Sequence, residues 1–282
     1  MTIRQAILEA VQAFDAAGVP DSRIDAELIL CHVTGLDRMN LLMSGASELT
    51  KEQEQRFSSL LLSRAKRTPV QYLLGTQFFF GREFQVDSRV LIPRQETEEL
   101  CEIGIAFLKA LPHPAALDLC TGSGAIAVTL KAECPHAEVS ASDLSTDALA
   151  LAAQNAQQNH ADVAFFQGDL WQPLEGMTFD LILSNPPYIP TLDCDTLQQE
   201  VMQEPRMALD GGADGLDFYR RIAHGTPAHL NPGGLIAVEV GIHQAQDVAD
   251  LFRQAGLCDV SVRKDIYGVE RMVSARRSEA HV

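Results

Sequence analysis

From about residue 96 to the end, apolar runs near 115–119, 137–142, 163–167, 179–184, 234–240, 257–264 and 270–276 alternate with segments of helical periodicity such as 145–158 and 215–230. This alternation limits the possible folds more than any other feature. Strands separated by helices run mainly parallel in a sheet covered on both faces. Only Asp265 to Val269 separate the last two runs. A parallel crossover needs about a dozen residues, so these two strands are predicted to pair antiparallel. The expectation for 96–282 is an α/β domain with seven strands, the final one reversed.

The chain ahead of it has a different rhythm. Residues 1–72 read as helices only: Thr2 and Gln5 have capping-box spacing before Ile7, Val11 and Phe14, and Thr50 and Gln53 repeat it before Phe57, Leu60 and Leu61. Gly18 with Pro20 closes the first segment and Pro69 the second. Residues 73–95 are β-rich and broken by Gly81, which predicts a connecting hairpin, with Phe78, Phe79 and Phe80 as buried strand. The basic cluster Arg64, Lys66 and Arg67 reads as a solvated helix end, favourable to the helix dipole.

Two loops carry the chemistry. The first strand of the α/β domain, Ala115 to Leu119, turns through Cys120, Thr121, Gly122, Ser123 and Gly124 into a helix. Glycines without a Cβ let that turn lie against a ligand at the carboxyl edge of the sheet. Asp143 ends the second strand, near the spacing at which an acidic side chain accepts ribose hydroxyls. A nucleoside cofactor is implied, and a nicotinamide dinucleotide or a merely tight turn remain alternatives at this point. The pattern D-x-x-x-G-x-G from Asp118 to Gly124 resembles the first motif of class I S-adenosylmethionine-dependent methyltransferases, a Rossmann-like fold with the same reversed last strand. Cys120 replaces the usual first glycine, which a small residue can do if φ stays negative. The resemblance implies S-adenosylmethionine as cofactor and S-adenosylhomocysteine as product. It further implies that Asp169 accepts from the adenine amino group, with Leu170 and Trp171 flanking the base; for Trp171, the only tryptophan, a plain core or surface-anchor role stays open.

The fourth strand, Phe179 to Ser184, delivers Asn185-Pro186-Pro187-Tyr188 to the same edge. The lone pair of an amide nitrogen is delocalised into its carbonyl, so attack on a methyl sulfonium requires orientation and rehybridisation. The Asn185 side-chain oxygen and the Pro186 carbonyl supply two acceptors for the amide N–H bonds. The prolines stiffen the loop, and Tyr188 offers a ring on which a flat amide stacks. The catalytic and substrate-binding candidates are therefore Asn185, Pro186, Pro187 and Tyr188, with Asn185 also bordering the cofactor. The tetrapeptide identifies a planar nitrogen without identifying the molecule that carries it.

Further segments resemble the release-factor glutamine methyltransferases over roughly residues 5 to 275: Leu91 to Glu98, Glu204 to Gly212, Asp214 to Leu216, Val238 to Gly241 with Gln244, and Gly268 to Arg271. That likeness implies methylation of the glutamine side chain in the Gly-Gly-Gln loop of class 1 release factors, with the helical domain gripping the factor at a distance. Arg94 and Glu204 lie in the matching segments, as substrate contacts or as loop supports. An adenine-N6 methyltransferase and a non-catalytic S-adenosylmethionine sensor are the rival functions.

Charge weighs against nucleic acid. The chain carries 22 basic and 38 acidic side chains, a net −16. Residues 1–72 hold 8 and 9 of these, leaving 14 against 29 for the remainder. A surface that acidic repels phosphate. The six cysteines are scattered and the histidines unpaired, so neither disulfide nor metal site is expected. With no apolar span or leader pattern, the expected setting is the cytoplasm, without membrane contact and as a monomer.

Overall fold

The computed structural model describes residues 1–279, which divide into two compact units. The first comprises Met1–Thr76 together with Gln198–Gln203, and the second comprises Gln77–Leu197 and the chain from Glu204 onward. Among the described residues no helix is long and apolar enough to cross a membrane.

The first unit is helical: α1 (Ile3–Ala16), α2 (Ser22–Thr34), α3 (Arg38–Met43), α4 (Lys51–Ala65) and α5 (Val70–Leu74). Both capping boxes form, Thr2 with Gln5 and Thr50 with Gln53, so each helix start satisfies two otherwise orphaned N–H groups. Ile3, Ala6, Ile7, Ala10 and Phe14 recur on one face of α1 and pack with Ile29, Leu30 and Phe57 into one core.

The expectation of a solvated end for α4 fails at Arg64, which is only 4% exposed. Its Nε donates to Asp25 at 2.7 Å and its Nη1 to Glu200 at 2.8 Å. Arg67 donates from Nε and Nη2 to the two oxygens of Glu200, each at 2.6 Å. Glu200 arrives on the short segment that the distant part of the chain contributes to this unit, a pairing no local pattern signals. Burial opposes its charge, but Arg67 and Arg64 hold its pKa down at about 2. Asp25 moves the other way, raised by burial against the pull of Arg64.

A hairpin of β1 (Thr76–Phe79) and β2 (Arg82–Gln85), which belongs to the second unit from Gln77 onward, precedes the sheet. Phe80 and Gly81 at its tip both have positive φ, as a type I′ turn requires. Period-two alternation splits the phenylalanine run: Phe79 is buried at 1%, whereas Phe78 is exposed at 66%. Asn155 fixes the hairpin, accepting from Gln85 N and donating to the carbonyls of Gln85 and Ser123.

The remaining elements are α6 (Glu96–Leu108), β3 (Ala115–Leu119), α7 (Ala125–Glu133), β4 (Glu138–Asp143), α8 (Thr146–Gln158), β5 (Val163–Gln167) and β6 (Phe179–Ser184). They are followed by α9 (Asp217–His229), β7 (Leu230–Glu239), α10 (Ala245–Gln254), β8 (Cys258–Lys264) and β9 (Glu270–Arg276). The seven strands lie in the order β5-β4-β3-β6-β7-β9-β8. β9 is antiparallel to both its neighbours, and the other pairs are parallel. One face of the sheet packs on α6 and α7 and the other on α9 and α10. The chain reverses its direction of travel across the sheet between β3 and β6, the switch point at which such folds hold ligands.

Candidate active site

Strand register brings the two loops together. Leu119 pairs with Ser184 and with Ser142, and Ser184 pairs with Val238. Cys120, Asp143, Asn185 and Glu239 therefore leave four adjacent strands at one level of the carboxyl edge. A cavity of about 260 Å³ opens there. Its walls include Cys120 to Ser123, Ser142 to Ser145, Gly168 to Leu170, Asn185 and Pro187, with Phe79 and Phe218 adding aromatic surface.

The loop after β3 is shaped from below by Asp118, which is fully buried and accepts from Thr121 Oγ1 and from Ala127 N at 3.1 Å. Burial raises its pKa to about 7 despite these bonds. Cys120 sits at φ 65°, so the expectation of negative φ at this position is corrected: the turn needs the left-handed region three times, at Cys120, Gly122 and Gly124. A Cβ at Gly122 would meet no atom within 4 Å, whereas one at Gly124 would approach the Ala152 Cβ to 3.0 Å. Gly122 thus borders the open cavity, and Gly124 is needed where the loop packs on α8.

Asp143 accepts from Gly122 N at 2.8 Å and from Ser145 N at 2.9 Å, one bond to each oxygen. Burial raises its pKa, and these backbone donors pull against the rise. The Gly122 N–H is thereby taken, and that of Gly124 goes to the Thr121 carbonyl. A pyrophosphate would need those donors free and would meet the Asp143 carboxylate, which disfavours a dinucleotide. An uncharged ribose suits this lining, because each oxygen of Asp143 keeps a lone pair for a hydroxyl.

Asp169 also borders the cavity and is ion-paired to Arg221 at 2.7 Å. Leu170, at φ 51°, is buried on the same wall. Trp171 departs from its expected place beside the base. Its indole stacks on His229 with centroids 4.7 Å apart, and Nε1 donates to the Arg221 carbonyl. The positive φ at Leu170 turns the chain so that these two neighbours diverge.

At the end of β6, Asn185 Nδ2 donates to Thr97 Oγ1 at 3.1 Å, and Thr97 Oγ1 donates to Glu239 Oε2 at 2.6 Å. Asn185 and Pro187 border the cavity, while Pro186 and Tyr188 are not on its wall. Tyr188 is held through its backbone: its carbonyl accepts from Gln244 Nε2 at 2.9 Å, and Ile189 exchanges bonds with Leu209 and Gly211. A Cβ at Gly211 would lie 2.8 Å from Tyr188 Cα, and one at Gly215 would lie 2.4 Å from its carbonyl oxygen. The glycine-rich segment 210–215 is therefore the cradle of the tetrapeptide. Arg94 and Glu204 form an ion pair with each other, and Glu204 Oε2 also accepts from Ile92 N at 2.9 Å.

Thr97, Glu239, Gln244 and Phe218 are the contributors that spacing did not single out by role. All but Phe218 fall within the segments that carry the family likeness.

Comparison with known proteins agrees along the chain. A family model described as PrmC N-terminal domain matches residues 5–75, and one described as Methyltransferase small domain matches residues 102–214. The release factor glutamine methyltransferase of Geobacter sulfurreducens is 47% identical over 92% of this chain and 91% of its own. That of Deinococcus radiodurans is 41% identical over 99% of both. Among solved structures, a methyltransferase from Pyrococcus furiosus superposes with a TM-score of 0.52 over 71% of this chain and 91% of its own, at 19% identity, a likeness of fold.

Proposed function

Since the chain belongs to the release factor glutamine methyltransferase family, we propose that it transfers a methyl group from S-adenosylmethionine to the side-chain nitrogen of the glutamine in the Gly-Gly-Gln loop of class 1 release factors. The observation that carries this reading is the position of Asn185. It follows the last residue of β6 and lines the same cavity as the Gly122 turn and the Asp143 carboxylate.

Bound in that cavity, the cofactor supplies an electrophilic methyl sulfonium and leaves as S-adenosylhomocysteine. Asp143 would accept from its ribose hydroxyls and Asp169 from its adenine amino group, with Leu170 against the ring. On the substrate side, Asn185 Oδ1 and the Pro186 carbonyl each accept one N–H of the glutamine amide. Together they fix its plane and favour a nitrogen lone pair directed at the methyl. Pro187 stiffens the turn, and the Tyr188 ring offers the flat face for the amide. Positive charge developing on nitrogen falls between two oxygen acceptors, which is electrostatic stabilisation without a strong base. The methylated amide then returns its surplus N–H proton to water.

We assign residues 1–72 to docking of the release factor. Met39, Leu42 and Met43 on α3 are 72%, 47% and 79% exposed, an apolar cluster of adaptable side chains suited to a protein partner. The enzyme acts as a monomer in the cytoplasm, where release factors work.

Transfer of radiolabel from S-adenosylmethionine to purified release factor tests the assignment. Label is expected on wild-type factor and lost when the Gly-Gly-Gln glutamine is replaced; label that persists overturns it. Asn185→Ala is expected to reduce kcat far more than cofactor affinity.

A further inference from the structure

We propose that Thr97 and Glu239 are positioning residues, which set the side-chain amide of Asn185 so that its oxygen and not its nitrogen is presented to the substrate. The proposal rests on the function argued above. A primary amide is nearly symmetric in shape, and a 180° flip would exchange acceptor for donor at small steric cost. An Asn185 presenting Nδ2 would set donor against the N–H groups of the substrate amide and lose the orientation it exists to supply.

The hydrogen-bond chain removes that ambiguity. Thr97 has one hydroxyl proton, and it is directed to Glu239 Oε2 at 2.6 Å. Towards Asn185, Thr97 Oγ1 can then only accept, so the group facing it must be Nδ2, at 3.1 Å. Oδ1 is left as the acceptor.

Both supporting members are held by the fold. Thr97 is 5% exposed in the first turn of α6, and Glu239 is 2% exposed at the end of β7. The Glu239 carbonyl accepts from Tyr219 Oη at 2.7 Å, and Glu239 pairs across the sheet with Met272. A carboxylate buried this deeply is costly, and burial raises its pKa to about 7 against the opposing influence of Thr97 and Arg271. The fold carries that cost directly behind the substrate-facing asparagine.

The test compares Thr97→Val, Thr97→Ser, Asn185→Ala and the Thr97→Val/Asn185→Ala double variant, measuring kcat, release-factor KM and cofactor Kd. Thr97→Val, nearly isosteric, is expected to lower kcat about 10- to 100-fold with cofactor Kd within about twofold. Thr97→Ser keeps the hydroxyl and should recover most of that loss. In the Asn185→Ala background Thr97→Val should cost almost nothing further, since its effect passes through Asn185. An unchanged kcat in Thr97→Val overturns the proposal, as does the same fold loss in both backgrounds or a parallel loss of cofactor affinity. Absence of transfer by the wild-type enzyme would remove the proposal together with the function it rests on, whereas wild-type transfer insensitive to Thr97 would remove the proposal alone.

Discussion

Gly211→Ala should impair methyl transfer although the residue is not on the cavity wall. Its φ lies outside the left-handed region, so alanine suits the local backbone, and the obstacle is steric. The added Cβ would stand 2.8 Å from Tyr188 Cα, 2.9 Å from Tyr188 C and 2.9 Å from the Pro187 oxygen, where ordinary contact begins at 3.4 Å. None of these atoms is the end of a flexible side chain, so the tetrapeptide backbone itself must retreat by about 0.6 Å. Misplacement by about 1 Å costs on the order of 100-fold, which puts the expected loss in kcat at about 10- to 30-fold. The strain adds about 1–3 kcal/mol of destabilisation. Asp143 and the Gly122 turn are untouched, so cofactor Kd measured by calorimetry should stay within about twofold. Gly45→Ala, whose Cβ meets nothing closer than 3.6 Å, is the control and should leave kcat unchanged. A Gly211→Ala enzyme with kcat within about twofold of wild type would refute the view that close backbone packing sets the loop.

Three further outcomes can be checked. Glu200→Gln should destabilise the helical unit by about 2–3 kcal/mol in chemical denaturation, because it strips Arg67 and half of the Arg64 pairing of their counter-charge. With the Glu200 pKa held at about 2 against an ordinary 4.5, its contribution is present above pH 4.5 and fades as pH falls towards 2, so a difference between the proteins that does not shrink on acidification contradicts the pairing. Asp143→Ala should weaken cofactor binding at least about tenfold while leaving KM for the release factor little changed, as read by calorimetry and steady-state kinetics. An ionised Glu239 can only accept from Thr97, whereas a protonated one can donate to Thr97 Oγ1 and free the Thr97 proton to face Asn185, so kcat should rise as pH passes through about 7 and then level; Glu239→Gln, which does not titrate, should flatten that limb although Arg271, Arg94, Glu96 and Tyr188 remain around it.

What the sequence disclosed and what it withheld divide along a physical line. Strand positions, both capping boxes and the antiparallel end of the sheet follow from periodicities within a few residues, and the structure reproduces them. The two loops are legible because glycine opens conformations closed to other residues and proline fixes its own, both local effects. The burial of Arg64 has no local signal, because its partner Glu200 lies 136 positions away and charge alone suggests solvent. The side-chain direction of Trp171 has no local signal, because after a β-strand it depends on the φ of the neighbouring Leu170, which composition does not encode. The Asn185–Thr97–Glu239 chain joins residues 88 and 142 positions apart, brought together by the register of β6 with β7 and by the packing of α6 on the sheet.

The discontinuous make-up of the helical unit bears on how it is built during synthesis. Its five helices are complete once Thr76 has been made, yet the segment carrying Glu200 is translated only after about 120 more residues. At about 5–20 residues per second, the nascent bundle waits roughly 6–24 s. During that interval Arg64 has Asp25 as partner while Arg67 lacks Glu200. Closing the bundle is therefore a late event, reached when the ribosome is already past the catalytic tetrapeptide.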